Sequence, residues 1–295
     1  NNTGTLNANS GTVRLAGGGT SRGAFNVADL PTRTFEGGVH NLTGGSLQNL
    51  GTLSFAGGTN TIGAGVAYSG GGAINVSGGT TSSQIGSSIS GGPLTLTGGT
   101  LRLAGDLSTP TLTMSGGTLS GTGTVTTGTL AWTGGTMGEY LNPGFGGATT
   151  VTGLATLSGA NGKQVYYGRT LNLNGGAVWS GAGSINMTDA TTIGNPSQPI
   201  PSSVINLAAG QTFDDQGSGS TGRNINGGTF NNAGTYTKSA GTDYTYISAL
   251  FNNTGTLNIN SGTVRLAGGG TSSGTFNIAS GSTLRFEGGT LNLTG

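Results

Sequence analysis

The chain repeats its own beginning at its end, and this repeat limits the folds that are open to it. Residues 1–44 align with residues 252–295 at a constant offset of 251, and 33 of the 44 positions are identical. Repetition at a fixed period is typical of proteins built from stacked structural units. We predict that residues 1–295 form a single continuous solenoid, cut from a longer tandem array of 251-residue units in which the two terminal segments are equivalent copies.

Shorter blocks repeat within this unit, each an alternation of apolar and small polar residues that ends in Gly-Gly. Leu94-Thr-Leu-Thr-Gly-Gly-Thr100 and Leu112-Thr-Met-Ser-Gly-Gly-Thr118 are two of them. Alternation with a period of two predicts a β-strand with one buried face. Gly-Gly predicts a turn, because glycine adopts positive φ without a steric penalty. The blocks therefore indicate strands rather than the disorder that a glycine-rich composition suggests.

The spacing of these turns predicts the fold. The residue after each Gly-Gly pair recurs every 18 to 21 residues, at Thr20, Val39, Thr59, Thr80, Thr100, Thr118 and Thr136. Weaker marks continue the series, with one wider gap between Ala177 and Thr229. We predict an all-β parallel β-helix (β-solenoid) with about 21 residues per coil, so that about 12 coils make one unit. At about 4.8 Å between stacked strands, one unit would be a rod about 58 Å long.

Stacked coils bring like positions together in ladders, and the inward ladders must be apolar. The alternation assigns two neighbouring inward rungs: Leu96, Met114, Trp132 and Leu173 on one, and Leu94, Leu112, Leu130 and Leu171 on the other. Arg14 and Glu36, like Arg265 and Glu287, lie one coil apart in the aligned copies and are expected to be near neighbours on the outer surface.

Two irregular segments interrupt the pattern and are predicted to leave the solenoid. Residues 194–203 contain three of the seven prolines, and residues 137–146 collect aromatic residues with an acid. Protruding loops are where solenoids carry binding contacts. The candidate ligand-contact residues are Tyr140, Phe145, Tyr166 and Tyr167. The alternative is that both segments are tolerated insertions without a ligand. Tyr236, Tyr244 and Tyr246 are further candidates for stacking on sugars, whereas Trp132 is expected in the core.

The composition excludes several functions. Only 6% of the residues are charged and the net charge is +1, without the clustered Lys and Arg that a nucleic-acid surface needs. Cysteine is absent, and no run of about 18 apolar residues is present. We predict no nucleic-acid partner, no membrane insertion within this stretch, and no cofactor or metal site.

One repeated sequence pattern resembles that of a known group of proteins. The Asn-x-x-Gly-Thr-Leu-Asn-Ile-x-Ser-Gly-Thr-Val pattern with Gly-Gly-Thr turns resembles the repeats of large bacterial secreted and surface β-helix proteins, of the filamentous haemagglutinin and autotransporter passenger kind. The resemblance spans the chain and lies in its composition and period. It implies an extracellular or cell-surface adhesin or fibre, and a right-handed helix, the hand that parallel crossovers also favour.

Polysaccharide-degrading enzymes also use parallel β-helices, so catalysis is an alternative. The best candidate is Asp214-Asp215, followed by Arg223, which weakly resembles the paired aspartates of polygalacturonases. The further motifs of that family are missing, and the single histidine, His40, lies far away in sequence. Adjacent residues of a strand point to opposite faces. We therefore expect a solvated acidic turn at Asp214-Asp215 and a protein that is not an enzyme.

Together these observations predict a structural, non-enzymatic extracellular repeat protein that forms a rod, an adhesin stalk or a fibre. Its main partner would be itself, through covalent tandem repeats or end-to-end assembly. The first alternative is a carbohydrate-binding adhesin whose two loops contact glycans or other cell surfaces. An ice-binding threonine array, based on pairs such as Thr95/Thr97 and Thr111/Thr113, is a weaker one because the pairs are irregular.

Overall fold

The structure is a computed structural model, and it is all-β. It describes residues 1–84, 89–139, 146–193, 198–217 and 222–294. Within these ranges the chain forms 40 strands and no helix. Most strands are three or four residues long, because a glycine-containing turn follows almost every apolar-polar alternation.

The chain divides into two compact units, residues 1–128 and residues 129–295. The prediction of one continuous solenoid over the whole chain stays a prediction. The strands of the first unit are, in order, β1 (Thr5–Ala8), β2 (Thr12–Leu15), β3 (Gly19–Ser21), β4 (Ala24–Val27), β5 (Thr32–Phe35), β6 (Val39–Leu42), β7 (Ser46–Asn49), β8 (Thr52–Phe55), β9 (Thr59–Ile62), β10 (Ala67–Ser69), β11 (Ala73–Val76), β12 (Thr80–Ser83), β13 (Ile89–Ser90), β14 (Leu94–Leu96), β15 (Thr100–Leu103), β16 (Leu107–Met114) and β17 (Thr118–Ser120).

The division between the units falls within β18 (Thr124–Trp132). The remaining strands belong to the second unit: β19 (Gly135–Met137), β20 (Ala148–Val151), β21 (Ala155–Leu157), β22 (Lys163–Val165), β23 (Thr170–Leu173), β24 (Ala177–Trp179), β25 (Ile185–Met187), β26 (Thr191–Ile193), β27 (Gln198–Ile200), β28 (Val204–Leu207), β29 (Thr212–Asp215), β30 (Arg223–Asn226), β31 (Thr229–Asn232), β32 (Thr235–Lys238), β33 (Tyr244–Ile247), β34 (Leu250–Asn253), β35 (Thr256–Ile259), β36 (Thr263–Leu266), β37 (Gly270–Ser272), β38 (Thr275–Ile278), β39 (Thr283–Phe286) and β40 (Leu291–Leu293).

In both units, successive turns of the chain add strands to three parallel stacks. In the first unit the stacks run β1-β4-β7-β10, β2-β5-β8-β11-β14-β16 and β3-β6-β9-β12-β15-β17. In the second unit they run β18-β21-β24-β29-β32-β35-β38, β20-β23-β28-β31-β34-β37-β40 and β19-β22-β25-β30-β33-β36-β39. The described residues make about 13 turns of about 21 residues each. The predicted parallel β-solenoid is therefore confirmed.

The core of each unit consists of the inward side chains of the three stacks. Strand after strand alternates half-buried and buried residues, as the period-two pattern predicts. Trp132, Leu157 and Trp179 pair in register along one inward ladder of the second unit, and all three are fully buried. Burial of a large apolar side chain stabilises by about 1.5–3 kcal/mol. The stability of the fold therefore grows with each added turn.

The residues predicted on the two inward rungs do point inward, but some of them pair with other residues than predicted. Leu96 pairs with Met114 as expected, but Trp132 pairs with Leu157, whereas Leu173 pairs with Val151 and belongs to another stack. Leu130 and Leu171 are divided between the same two stacks. The reason is that Gly-Gly pairs follow strands of more than one stack. Their period gives the length of a turn but not which corner of the turn they occupy.

One glycine corner shows why the sequence needs this residue. Gly58, Gly79 and Gly99 stack in successive turns with φ of +70°, +65° and +65°. A Cβ atom on Gly79 would lie 2.2 Å from the carbonyl oxygen of Gly58 in the turn below. Positive φ and close backbone approach together exclude other residues here.

The predicted excursion at residues 194–203 is a β-hairpin in part. Strands β26 and β27 pair antiparallel, with Thr191 opposite Ile200, whereas the stacks are parallel. The insertion lengthens one turn, so that Ala177 pairs with Phe213. The inserted residues account for the wider gap in the turn spacing. The expectation of an irregular loop is wrong for residues 198–200, which form a strand. The excursion predicted for residues 137–146 lies largely outside the described residues, which resume at residue 146.

A buried arginine in the first unit allows a stability prediction. Arg33 is fully buried between Val13 and Leu53, its Nη2 donates to the carbonyl of Leu6 at 2.9 Å, and its Nε and Nη1 have no hydrogen-bond partner. Burial lowers its pKa to about 10. The equivalent position of the terminal copy holds Leu284. We expect Arg33→Leu to stabilise the first unit by about 1–3 kcal/mol, because buried unpaired donors are costly.

Hydrogen exchange of strands β4 to β9 measures this change. The matched control is Arg14→Leu, which removes an outward arginine with a 70% exposed side chain and its ion pair with Glu36. That change should alter stability by less than about 1 kcal/mol. Faster exchange in Arg33→Leu would contradict the prediction.

Candidate functional site

The strongest catalytic candidate of the sequence lies inside the second unit. Asp214 and Asp215 occupy strand β29, and the alternation of the strand separates their side chains. Asp214 is half-buried and accepts hydrogen bonds from Gln216 Nε2 at 2.7 Å and from the hydroxyl of Ser239. Asp215 points inward and is fully buried. The expectation of a solvated acidic turn is therefore wrong for Asp215, and the two carboxylates do not share a site.

Asp215 is held by a complete set of donors. Its Oδ1 forms an ion pair with Arg223 and accepts the backbone N–H of Gly217 at 3.2 Å. Its Oδ2 accepts the hydroxyls of Tyr236 at 2.9 Å and Thr245 at 2.5 Å. A buried charge persists only when it is paired and hydrogen-bonded, and these four partners meet that condition.

Arg223 connects this carboxylate to the aromatic core. Its guanidinium lies 3.8 Å from the ring centroid of Trp179, and Nη1 donates to the carbonyls of Trp179 at 3.1 Å and Gly181 at 2.6 Å. The Tyr236 ring stacks on Phe213 with centroids 5.1 Å apart. Burial raises the pKa of Tyr236 above its usual range, against the opposing effects of Arg223 and Thr245. The phenol therefore stays a hydrogen-bond donor.

Two buried lysines belong to the same charged interior. Lys163 donates to the carbonyls of Asn161 at 3.0 Å and Gly159 at 3.3 Å, and Lys238 donates to that of Ala240 at 3.1 Å. Burial, and then repulsion from Arg223, lowers the pKa of each lysine to about 8. We name Lys163, Asp215, Arg223, Lys238 and their hydroxyl partners Tyr236 and Thr245 the buried charge cluster. The sequence analysis missed both lysines, although strict alternation in Thr235-Tyr-Thr-Lys238 already places Lys238 inward beside Tyr236.

The lysines predict an unusual pH dependence. In the unfolded chain lysine keeps its proton up to about pH 10.5, whereas Lys163 and Lys238 release theirs near pH 8 in the fold. Between pH 8 and pH 10 the unfolded state therefore binds more protons, and stability rises with pH. We expect the urea midpoint of the second unit to be higher at pH 9.5 than at pH 7.5. The variant Lys163→Met/Lys238→Met should lose this rise, and a midpoint that falls with pH in the parent chain would contradict the assignment.

The predicted tyrosine pair lies at a corner of the second unit. Tyr166 and Tyr167 form the turn between β22 and β23, and their rings meet edge to face with centroids 5.7 Å apart. Both side chains are partly exposed. Tyr167 has φ of +57°, a conformation that is uncommon for residues other than glycine. The other two predicted contact residues, Tyr140 and Phe145, lie outside the described residues.

We name the turn formed by Tyr166 and Tyr167 the tyrosine corner. It adjoins the described ends of both predicted loops, residues 137–146 and 194–203. The N–H of Tyr166 donates to Met137 in the preceding turn at 2.7 Å, and that of Tyr167 donates to the hydroxyl of Thr188 at 3.3 Å. Gly168 donates to the hydroxyl of Ser203 in the following turn at 3.2 Å. Solenoid stacking therefore brings residues from four separate sequence segments to one corner, which the sequence analysis did not predict.

The other tyrosines divide between core and surface. Tyr236 points inward, whereas Tyr244 and Tyr246 lie on the outer face of β33. Arg265 covers both outer rings, 4.8 Å and 5.6 Å from their centroids, and its Nε donates to Glu287 at 2.7 Å. The predicted surface pair of Arg265 and Glu287 is confirmed, as is the corresponding pair in the first copy. Because the arginine occupies the ring faces, this patch is less open to a sugar than the tyrosine corner.

The repeated segments have the same strands but different surroundings. Strands β1 to β5 correspond to β35 to β39 with every boundary shifted by 251 residues, and β40 begins one residue later than β6 does. Phe35 and Leu42 are 1% and 2% exposed, whereas their equivalents Phe286 and Leu293 are 57% and 67% exposed. The difference arises because β7 to β9 cover β4 to β6, and the described residues place no turn on β38 to β40.

Comparisons with known proteins identify no family for this chain. Neither a family model, nor a curated protein, nor a solved structure matches this chain. In the part of the chain that the structure describes, no three His, Asp or Glu side chains lie close enough together to hold a metal ion. The same residues include no helix that is long and apolar enough to cross a membrane.

Proposed function

We propose that this chain is part of a structural, non-enzymatic repeat protein outside the cell or on its surface, where it acts as a rod, an adhesin stalk or a fibre. One observation supports this proposal most directly. The same 44-residue segment folds into the same strands at both ends of a 251-residue period, so a further unit would continue the stacks. The inward side chains that the last turn exposes are those that a following turn buries in the first copy.

A chain of two joined 251-residue units tests this proposal against the single unit. Stacking of about 12 further coils at about 4.8 Å each should lengthen the particle by about 58 Å, measured by small-angle X-ray scattering or electron microscopy. A joined chain that forms two separate particles connected by a flexible link would contradict a continuous rod. Antibody labelling of intact and permeabilised source cells tests the location: a signal that requires permeabilisation would contradict a surface protein.

The second candidate is carbohydrate binding, which the tyrosine corner favours. Tyrosine rings combine an apolar face with a polar tip, which suits contacts with sugar rings. The variant Tyr167→Gly removes one ring while its positive φ remains favourable, so the fold should be retained. If the corner binds glycans, this variant should lose binding on a glycan array, whereas Tyr244→Ala, which removes an exposed ring on another face, should keep it. If the parent chain shows no saturable glycan binding, carbohydrate binding is disproved and only the structural role remains.

A further inference from the structure

Turns of similar sequence stack on one another in the second unit, so more than one order of stacking is open to the chain. Residues 229–238 and 250–259 are identical at five of ten positions and lie one turn apart. Strands β28, β31 and β34 stack in this order, as do β29, β32 and β35. If β34 and β35 took the places of β31 and β32, one turn would be left out as a loop. Because native stability per residue is small, leaving out a turn costs no more than burying an unpaired charge does.

The stack of β28, β31 and β34 does not distinguish these two arrangements. Strand β31 points Phe230 and Asn232 inward, and both are buried. Strand β34 points Phe251 and Asn253 inward, and both are buried as well. The outward residue between them is asparagine in both strands. Strand β34 would therefore present to β28 the same side chains that β31 presents.

The stack of β29, β32 and β35 does distinguish the two arrangements, because its inward residues differ from turn to turn. Asp215 lies in register with Lys238, and its Oδ2 accepts the hydroxyl of Tyr236 at 2.9 Å. One turn further along, the same two positions of β35 hold Ile259 and Leu257. In the place of β32, strand β35 would offer Asp215 two aliphatic side chains and no hydroxyl.

The third stack repeats this difference. Thr245 of β33 lies in register with Arg223 and donates its hydroxyl to Asp215 Oδ2 at 2.5 Å. The position in register on β36 is Val264, which has no donor. Arg223 also joins Asp215 to the preceding turn, through a bond to the carbonyl of Trp179 at 3.1 Å. Three consecutive turns therefore meet at Asp215 through hydrogen bonds that the following turn cannot replace.

We propose that the buried charge cluster fixes the stacking register of the second unit, by selecting residues 229–247 over residues 250–266 as the turn that follows β28, β29 and β30. In the shifted arrangement Asp215 would lose both hydroxyl partners and stay buried beside Ile259. A buried carboxylate without its partners is costly, whereas an apolar core would accept either turn. A single polar residue at a core position specifies register in coiled coils in the same way, at a cost in stability. This role does not depend on whether the chain acts as a rod or binds glycans.

Paired cysteines report the register, because the chain has no cysteine of its own. Asn206 lies in register with Asn231 one turn later, and Asn252 lies a further turn away. A disulfide needs Cα atoms within about 7 Å, so Asn206→Cys/Asn231→Cys reports the observed register. Two turns are about 10 Å apart, so Asn206→Cys/Asn252→Cys cross-links only in the shifted register. Each pair is oxidised mildly after refolding from urea at low protein concentration.

A copied-turn variant removes the difference between the two turns. Tyr236→Leu/Lys238→Ile/Thr245→Val gives residues 229–247 the inward residues of the following turn at these positions. We expect the fraction of the shifted cross-link to rise at least about 10-fold over the parent chain, because Asp215 then finds no hydroxyl in either register. The matched control is Thr237→Asn, which copies the following turn at an outward position of β32 and should cross-link only in the observed register.

A moved-cluster variant shifts the hydroxyl partners by one turn without changing the set of inward residues. It adds Leu257→Tyr/Ile259→Lys/Val264→Thr to the copied-turn variant, so that only the shifted register supplies hydroxyls to Asp215. We expect its shifted cross-link to exceed the observed one. Far-UV circular dichroism shows that each variant is folded, and either variant in a folded state decides. The proposal is wrong if a folded variant cross-links in the observed register alone, or if Thr237→Asn shifts as much as the copied-turn variant.

Discussion

Replacing Asp215 by asparagine is expected to destabilise the second unit by about 3–5 kcal/mol, because the change leaves buried cations without their counter-charge. Asp215 is the single buried carboxylate among the described residues, its Oδ1 pairs with Arg223, and the buried cations Lys163 and Lys238 interact electrostatically with that arginine. Asparagine has nearly the same shape, so the loss measures charge rather than packing. Both tryptophans, Trp132 and Trp179, belong to the second unit, so their fluorescence during urea unfolding reports its stability.

The chain supplies a matched control one residue away. Asp214→Asn changes the same chemical group on the outward side of β29, and it should cost less than about 1 kcal/mol. The double variant Asp215→Asn/Arg223→Leu should cost less than the sum of the two single changes, because removing both members leaves fewer unpaired charges. Equal effects of Asp214→Asn and Asp215→Asn would show that the buried ion pair does not stabilise the fold in this way.

Replacing Phe35 by alanine is expected to cost about 3–5 kcal/mol, whereas the same change at Phe286 should cost less than about 1 kcal/mol. The two residues are equivalent in the repeat, but Phe35 is 1% exposed and Phe286 57% exposed. Phe35 also stacks on Phe55 of the next turn, with ring centroids 5.2 Å apart. Comparing the alanine variants at Phe35 and Phe286 therefore separates the effect of a covering turn from that of the local sequence.

Hydrogen exchange of β5 and β39 gives the two effects separately, because unfolding of a repeat protein is not confined to one transition. In a chain that continues beyond the second copy, a following turn should bury Phe286, and its change to alanine should then become as costly as that of Phe35. Similar costs at the two positions in the 295-residue chain would contradict the difference in burial.

Much of the fold was predictable because its information is local. Alternation in segments such as Leu94-Thr-Leu and Thr256-Leu-Asn-Ile fixes which side chains face inward, and the turn spacing fixes about 21 residues per turn. The candidate site was less predictable. Asp215 followed the alternation rule, yet its character as the centre of an ion cluster depends on Arg223 and Thr245, which lie 8 and 30 residues away in sequence.

The tyrosine corner shows the same limit. Its residues were identified from the sequence, but their juxtaposition with Met137, Thr188 and Ser203 depends on which turns stack on each other and on the length of the inserted hairpin.

The sequence by itself determined that this chain is built of short parallel strands, that its turns contain glycine, and that its two ends are equivalent copies. These properties follow from hydrophobic alternation, positive φ at glycine and repetition, which act over a few residues or at a fixed offset. The tertiary structure decided which stack each strand joins, which charged side chains are buried together, and which copies of the same residue are covered. The reason is that these contacts join residues of different strands, at different corners of one turn or in different turns, and their partners depend on register and insertion length, which alternation alone does not encode.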